Sequence, residues 1–218
     1  MATEILEARA PGLVPIAERP GGPTGHGPVG HGDDGGGPNA AFDPAQFGLW
    51  AFLGTVSMLF IGFTSAYIVR RTGFDWRPLP APRLLWWNTA ALLLSSLTLE
   101  GARRRRSALD LSGLRTWLGA TALLAALFVA GQFEAWRLLR ALGFFLSSNP
   151  HSSFFYMLSG VHLLHVGGGL LWFALVLHRL RGPRYAAAGG GRTLSLFATY
   201  WHFLSLLWVY VLFLIFVF

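Results

Sequence analysis

Cysteine is absent from this chain of 218 residues, lysine is absent too, and Asp and Glu together number only 10. Without cysteine there is no disulfide, no thiolate metal site and no cysteine nucleophile. Without lysine, all 17 cationic side chains are arginine, and they leave a net charge of +7. Sequence signatures of self-sufficient catalysis are missing as well. No glycine-rich phosphate loop, no GxSxG elbow, no HExxH pair and no two carboxylates inside one apolar run occur, which leaves nucleotide hydrolysis, serine hydrolysis and zinc hydrolysis without their usual machinery.

What the chain has in quantity is apolar surface. Hydrophobic residues make up 53% and charged residues 12%, too apolar a balance for an ordinary soluble domain. The apolar residues come in runs, which points to helices in lipid because only a helix or a closed barrel satisfies its backbone there. The predicted fold is all-α: an integral membrane five-helix bundle behind a disordered N-terminal tail. The arginines sit at the ends of the runs, where basic side chains anchor a helix to anionic headgroups. Arg70, Arg71, Arg103, Arg104, Arg179 and Arg181 are the candidate headgroup contacts. That placement argues for a membrane and against nucleic acid.

Residues 1–42 are a regime of their own, with a stretch reading RPGGPTGHGPVGHGDDGGGPNAA. Such text buries too little apolar surface to fold, and it is read as a disordered cytoplasmic tail. The remainder, 43–218, is read as five spans over about 48–70, 84–102, 114–136, 153–178 and 194–218. Asp43-Pro44 opens the first with a capping side chain and a proline suited to the first helical turn. Loops after the second and fourth runs carry the larger share of arginines. This predicts a cytoplasmic N-terminus and a C-terminus on the other side.

Within the runs, polar and small residues are the informative ones. Imidazoles in a membrane segment are uncommon and normally face protein or a polar cavity. His162 and His165 are three apart in the fourth span. His202 shares a face of the fifth with Ser195, Thr199 and Ser205. Asn88 in the second span and Gln132 and Glu134 in the third complete the intramembrane polar set, expected to bond between helices. Glu100 can pair with Arg103 or Arg104, and Glu134 with Arg137, at helical spacing. Gly54, Gly62, Gly160, Gly167, Gly168 and Gly169 mark expected close helix packing. Two functional classes remain open on these residues alone. One is a non-catalytic membrane subunit with no metal and no catalytic residue of its own. The other is a stand-alone membrane cytochrome holding haem through His162, His165 or His202. A transporter is disfavoured by the lack of repeat symmetry and of a central carboxylate.

Four stretches in order resemble subunit III of the haem–copper terminal oxidases, the cytochrome c oxidase subunit III family, in its short five-helix bacterial form. They are GLWAFLGTVSMLFIGFTSAYIVRR from Gly48, WNTAALLLSS from Trp87, SSFFYMLSGVHLLHVGGG, which is similar to FFxxTGxHGxHVxxG, and YWHFLSLLWVYVLF from Tyr200, which is similar to YWHFVDxxWxxLF. The resemblance implies a subunit with no redox centre of its own. It would pack on subunit I, with subunit II and other small subunits beside it. Haem and copper would sit in those partners, and bound phospholipid would accompany the chain. It implies support of subunit I during turnover and of proton uptake in a proton-pumping respiratory complex. Relatives with that architecture serve quinol oxidases and some nitric-oxide reductases. Where the family often carries acidic residues, this chain has Val56 and Ser205.

Overall fold

A computed structural model describes residues 43–107, 110–180 and 190–218; the tail assigned to 1–42, and Arg181, lie outside the described residues. Five helices follow in order: α1 Pro44–Arg70, α2 Arg83–Ser107, α3 Leu111–Ala141, α4 Pro150–Leu180 and α5 Gly190–Phe216. Among the described residues there is no strand.

The helix starts follow from capping chemistry. Asp43 accepts the backbone N–H of Ala45 at 3.0 Å and of Gln46 at 3.2 Å, with Pro44 in the first turn. Asp110 accepts from the Gly113 N–H at 2.9 Å; that bond, then the Ser112 hydroxyl, holds its carboxyl below the usual carboxylate range. Asn149 plays the same part for α4, its Oδ1 accepting from the Ser152 N–H at 3.1 Å with Pro150 behind it. This is why α4 begins at Pro150, before the apolar run itself. α3 stops at a left-handed turn, φ 85° at Gly143, where a Cβ would be strained.

Four helices, α1, α3, α4 and α5, are long and apolar enough to cross a membrane, and the chain is a multi-pass membrane protein. The packing is inside-out relative to a protein in water. Met58, Trp87 and Leu164 are each more than 70% exposed, while Ser95, Gln132, Ser159 and His162 are completely covered. α2 is the least apolar helix, and its pattern accounts for that. Asn88, Thr89, Ser95 and Ser96 point inward, and Trp86, Trp87, Leu94 and Leu97 outward.

α2 and α3 form the closest pair, and α5 lies centrally, touching α1, α2 and α4. α1 is the peripheral helix. Among the helices it meets α4 and α5 alone, with Thr64 and Tyr210 joined hydroxyl to hydroxyl at 2.7 Å.

Candidate functional site: the polar interior of the bundle

The seam between α2 and α5 carries a ladder of polar contacts. Residues climb α2 as their partners descend α5, as antiparallel helices require. The Trp208 indole N–H donates to Thr89 Oγ1 at 3.1 Å and the Trp201 indole N–H to Ser95 Oγ at 3.0 Å. One residue further along each helix, the Ser96 hydroxyl bonds His202 Nδ1. Next comes Glu100, whose carboxylate lies 4.0 Å from His202 Nε2 and 2.8 Å from the Arg103 guanidinium. Arg103 in turn donates to Ser195 Oγ at 3.4 Å, and Arg104 reaches Glu100 at 3.9 Å. In a lipid environment interhelical hydrogen bonds and close packing hold helices together, because the tails are as apolar as the side chains. This ladder fixes both the register and the facing of α2 on α5. Thr199 and Ser205, on the same stripe of α5, bond back to carbonyls of their own helix.

The two histidines of α4 diverge. Three residues is about 300° of helical rotation, enough to turn them toward different neighbours. His162 is fully buried, its ring 5.0 Å from the Trp208 indole in a near-parallel stack and 6.0 Å from Phe128, edge on. His165 is half-buried toward α1, with Phe52 and Phe60 rings at 6.2 and 6.3 Å, and its Nδ1 bonds the Val161 carbonyl one turn back at 2.7 Å. Of the three predicted intramembrane histidines, His202 is the one whose imidazole bonds across helices. Asn88 does so as well, Nδ2 donating to the Phe128 carbonyl of α3 at 3.1 Å. Gln132 is buried beside it with no partner for its amide.

The glycines divide in the same way. A Cβ on Gly169 would press on Tyr200 and Trp201 at 3.0 to 3.4 Å, but a Cβ on Gly54, Gly62, Gly160, Gly167 or Gly168 would meet nothing within 4 Å among the described residues. The glycines that let α2 and α3 close up are two that the sequence did not single out: Gly131, packed on the Asn88 amide, and Gly101, where a Cβ would meet the Trp117 indole at 2.7 Å. Their only signal was position opposite a bulky or amide side chain on a helix not yet known to be adjacent.

The predicted carboxylate–arginine pairs are present, with Glu134 on Arg137 at 2.8 Å and Glu100 on both its arginines. Arg70 pairs with Asp75 at 2.6 Å, which lowers the Asp75 carboxyl below its usual range. Arg71 lies 5.1 Å over the Phe218 ring, Arg179 is in the last turn of α4, and Arg192 bonds Asp43. The last contact ties the start of α5 to the start of α1.

His151 is a tie that sequence reasoning missed. Its Nδ1 accepts the Leu79 N–H at 2.9 Å, so Nε2 carries the proton and donates it to the Ile215 carbonyl at 3.1 Å. The ring stacks on Trp76 at 4.8 Å. One imidazole thereby joins the α1–α2 loop, the start of α4 and the end of α5. The Asn-Pro-His order after an apolar run was its only local mark.

Chemically, this interior bonds and positions; apart from Gln132 and His162, its buried polar side chains are spent on one another or on backbone. Among the described residues no three His, Asp or Glu side chains converge as a metal site would require. The histidines are also poorly placed to share one haem. His202 is six residues, about 9 Å along α5, from Trp208, the side chain against which His162 is stacked.

No family model matches the chain. Individual proteins do. It is 32% identical over 180 residues to a cytochrome c oxidase subunit 3 of Synechocystis, covering 80% of this chain and 76% of that protein. It is 33% identical over 168 residues to a probable cytochrome c oxidase subunit 3 of Nocardia farcinica, covering 74% and 82%. Over 172 residues it is 33% identical to a cytochrome bo(3) ubiquinol oxidase subunit 3 of Pseudomonas aeruginosa, covering 76% and 80%.

Proposed function

This chain belongs to the cytochrome c oxidase subunit 3 family, and on that premise we propose that it packs on subunit I of a proton-pumping terminal oxidase of a bacterial plasma membrane, steadies that subunit and supports its proton uptake. Subunit II and small subunits complete the assembly. Haem and copper belong to the partners, and phospholipid lies around the chain with its headgroups at Arg70, Arg71, Arg103, Arg104, Arg179 and Arg181. α2 crosses the membrane with the other four helices, because its outward face is apolar and its polar residues are turned inward.

One observation carries the docking part of this reading. Gly54 and Gly62 on α1, and Gly160, Gly167 and Gly168 on α4, are packing glycines by sequence, yet among the described residues no atom lies within 4 Å of where their side chains would begin. A neighbouring helix can come close only where side chains are missing, and α1 is the helix least closely packed on the rest of the bundle. These glycines form the seat for helices of subunit I. The proton-uptake role rests on family membership, and here it works without acidic residues at Val56 and Ser205.

The test is purification of the tagged chain from its native membrane in mild detergent. A co-purifying large subunit with haem absorbance in the reduced-minus-oxidised spectrum, and none from the separated chain, is the expected result. Gly54→Leu and Gly62→Leu should lower that recovery while leaving the chain folded. A chain that purifies alone with its own haem band would establish the membrane cytochrome instead. Quinol as electron donor is a second reading, favoured by the similarity to a ubiquinol oxidase subunit; oxidation of a quinol by the purified assembly, with no response to cytochrome c, would select it.

A further inference from the structure

Most polar side chains inside this bundle have found a partner, but two have not. Among the described residues, both amide atoms of Gln132 and both ring nitrogens of His162 are buried without a hydrogen bond, and both residues are 0% exposed. In a membrane interior such groups have no bulk water to turn to, so leaving them unmatched is costly.

Both belong to the α3–α4 seam, since the residues one turn before and one turn after Gln132 meet α4 near His162. Phe128, one turn before Gln132, sets its ring 6.0 Å from the His162 ring. Trp136, one turn after, donates its indole N–H to Ser159, three residues before His162, at 3.1 Å. Gln132 therefore stands, on α3, between a contact to His162 itself and a contact to Ser159 one turn before it. Neighbouring polar groups are already committed. The Phe128 carbonyl accepts from Asn88, the Ser159 hydroxyl donates to the Phe155 carbonyl at 2.6 Å, and the Trp208 N–H goes to Thr89. α3 and α4 are also the most loosely apposed of the touching helix pairs.

We propose that Gln132 and His162 form an internal hydration site, in which one or two water molecules bridge the amide to the imidazole. The chemistry of the donor set selects water. The amide offers two donors and an accepting oxygen, and a neutral imidazole offers one of each kind. A buried water needs two to four partners of both kinds. No carboxylate is present to hold a cation, no arginine to hold an anion, and complete enclosure excludes a lipid headgroup. The site is a property of this chain's own interior and does not depend on the oxidase assignment. Its water joins α4 to α3 at the depth where His162 rests on Trp208, and it sets which face of the imidazole edge carries the proton.

The test is a high-resolution structure of the full chain in the assembly with which it purifies. Ordered density within about 2.7–3.2 Å of both side chains is the expected result. A direct amide–imidazole bond with nothing between, or a partner-subunit group reaching either residue, overturns the proposal. A thermal cycle supplies a second readout. Gln132→Leu and His162→Phe should each lower the melting temperature by about 4–8 °C, since each leaves the water and the other side chain short of a partner. The double variant should lose clearly less than the two losses combined. Strictly additive losses would show that the residues share nothing. Should either variant fail to accumulate, the wild-type density decides alone.

Discussion

A buried side chain in this protein is judged by whether its polar atoms are matched, because apolar contact with lipid is as available as apolar contact with protein. His151 meets that demand most fully. It answers one N–H and one carbonyl from segments far apart in sequence and stacks on Trp76. His151→Phe keeps an aromatic ring on Trp76 and removes both bonds, leaving the Leu79 N–H and the Ile215 carbonyl unmatched. A loss of about 2–4 kcal/mol in unfolding free energy is expected from two such groups. Hydrogen exchange read by mass spectrometry should find the Leu79 amide exchanging faster than in the parent. Unchanged exchange at Leu79 would show that this bond does not hold the loop. His165 marks the contrasting case, since its ring nitrogen is satisfied inside its own helix and its packing neighbours are aromatic rings.

At the level of helices, closeness is decided by what one helix presents to the other at a single height. Gly131 sits on the Asn88 amide, which is itself bonded to the Phe128 carbonyl. Gly131→Ala forces that amide out of place and should cost about 1–3 kcal/mol, the usual range for overpacking. Gly119→Ala, on the same helix with open space beside it, is the control and should match the parent or gain up to about 1 kcal/mol, because alanine is the better helix former. Thermal melting of the two variants in one detergent separates them, and a Gly131 variant as stable as the Gly119 variant would show that the Asn88 contact does not set the spacing of α2 and α3. The α2–α5 ladder follows the same logic in hydrogen bonds. Two indoles and one imidazole meet two serines and a threonine along the antiparallel seam, so slipping one helix by a residue would break several bonds together.

For the whole molecule, the arginine-rich loops set how the bundle sits in its membrane. The absence of cysteine makes orientation directly measurable, because any introduced thiol is unique. Phe74, fully exposed in the α1–α2 loop, and Ser112, exposed in the first turn of α3, lie in loops expected on opposite sides. In intact cells Phe74→Cys should react with a membrane-impermeant maleimide and Ser112→Cys should react only after lysis. The reverse pattern would invert the topology and place the arginine-rich loops outside, against the usual bias.

Much of this architecture was legible in the chain itself. Apolar runs, their flanking arginines and the capping residue Asp43 act through neighbours a few positions away, so composition and local order sufficed to read a membrane helix bundle and the start of its first helix. The i, i+3 pairs Glu100–Arg103 and Glu134–Arg137 are local for the same reason. Partners across helices were a different matter. That His162 turns to α3 and α5 while His165 turns to α1, that Gly131 and Gly101 rather than Gly54 or Gly62 close this chain's own helices, and that His151 ties three segments all depend on which helices are adjacent and at what rotation. Adjacency is fixed by packing and hydrogen-bond matching summed over the whole bundle, and no single stretch of sequence carries that sum.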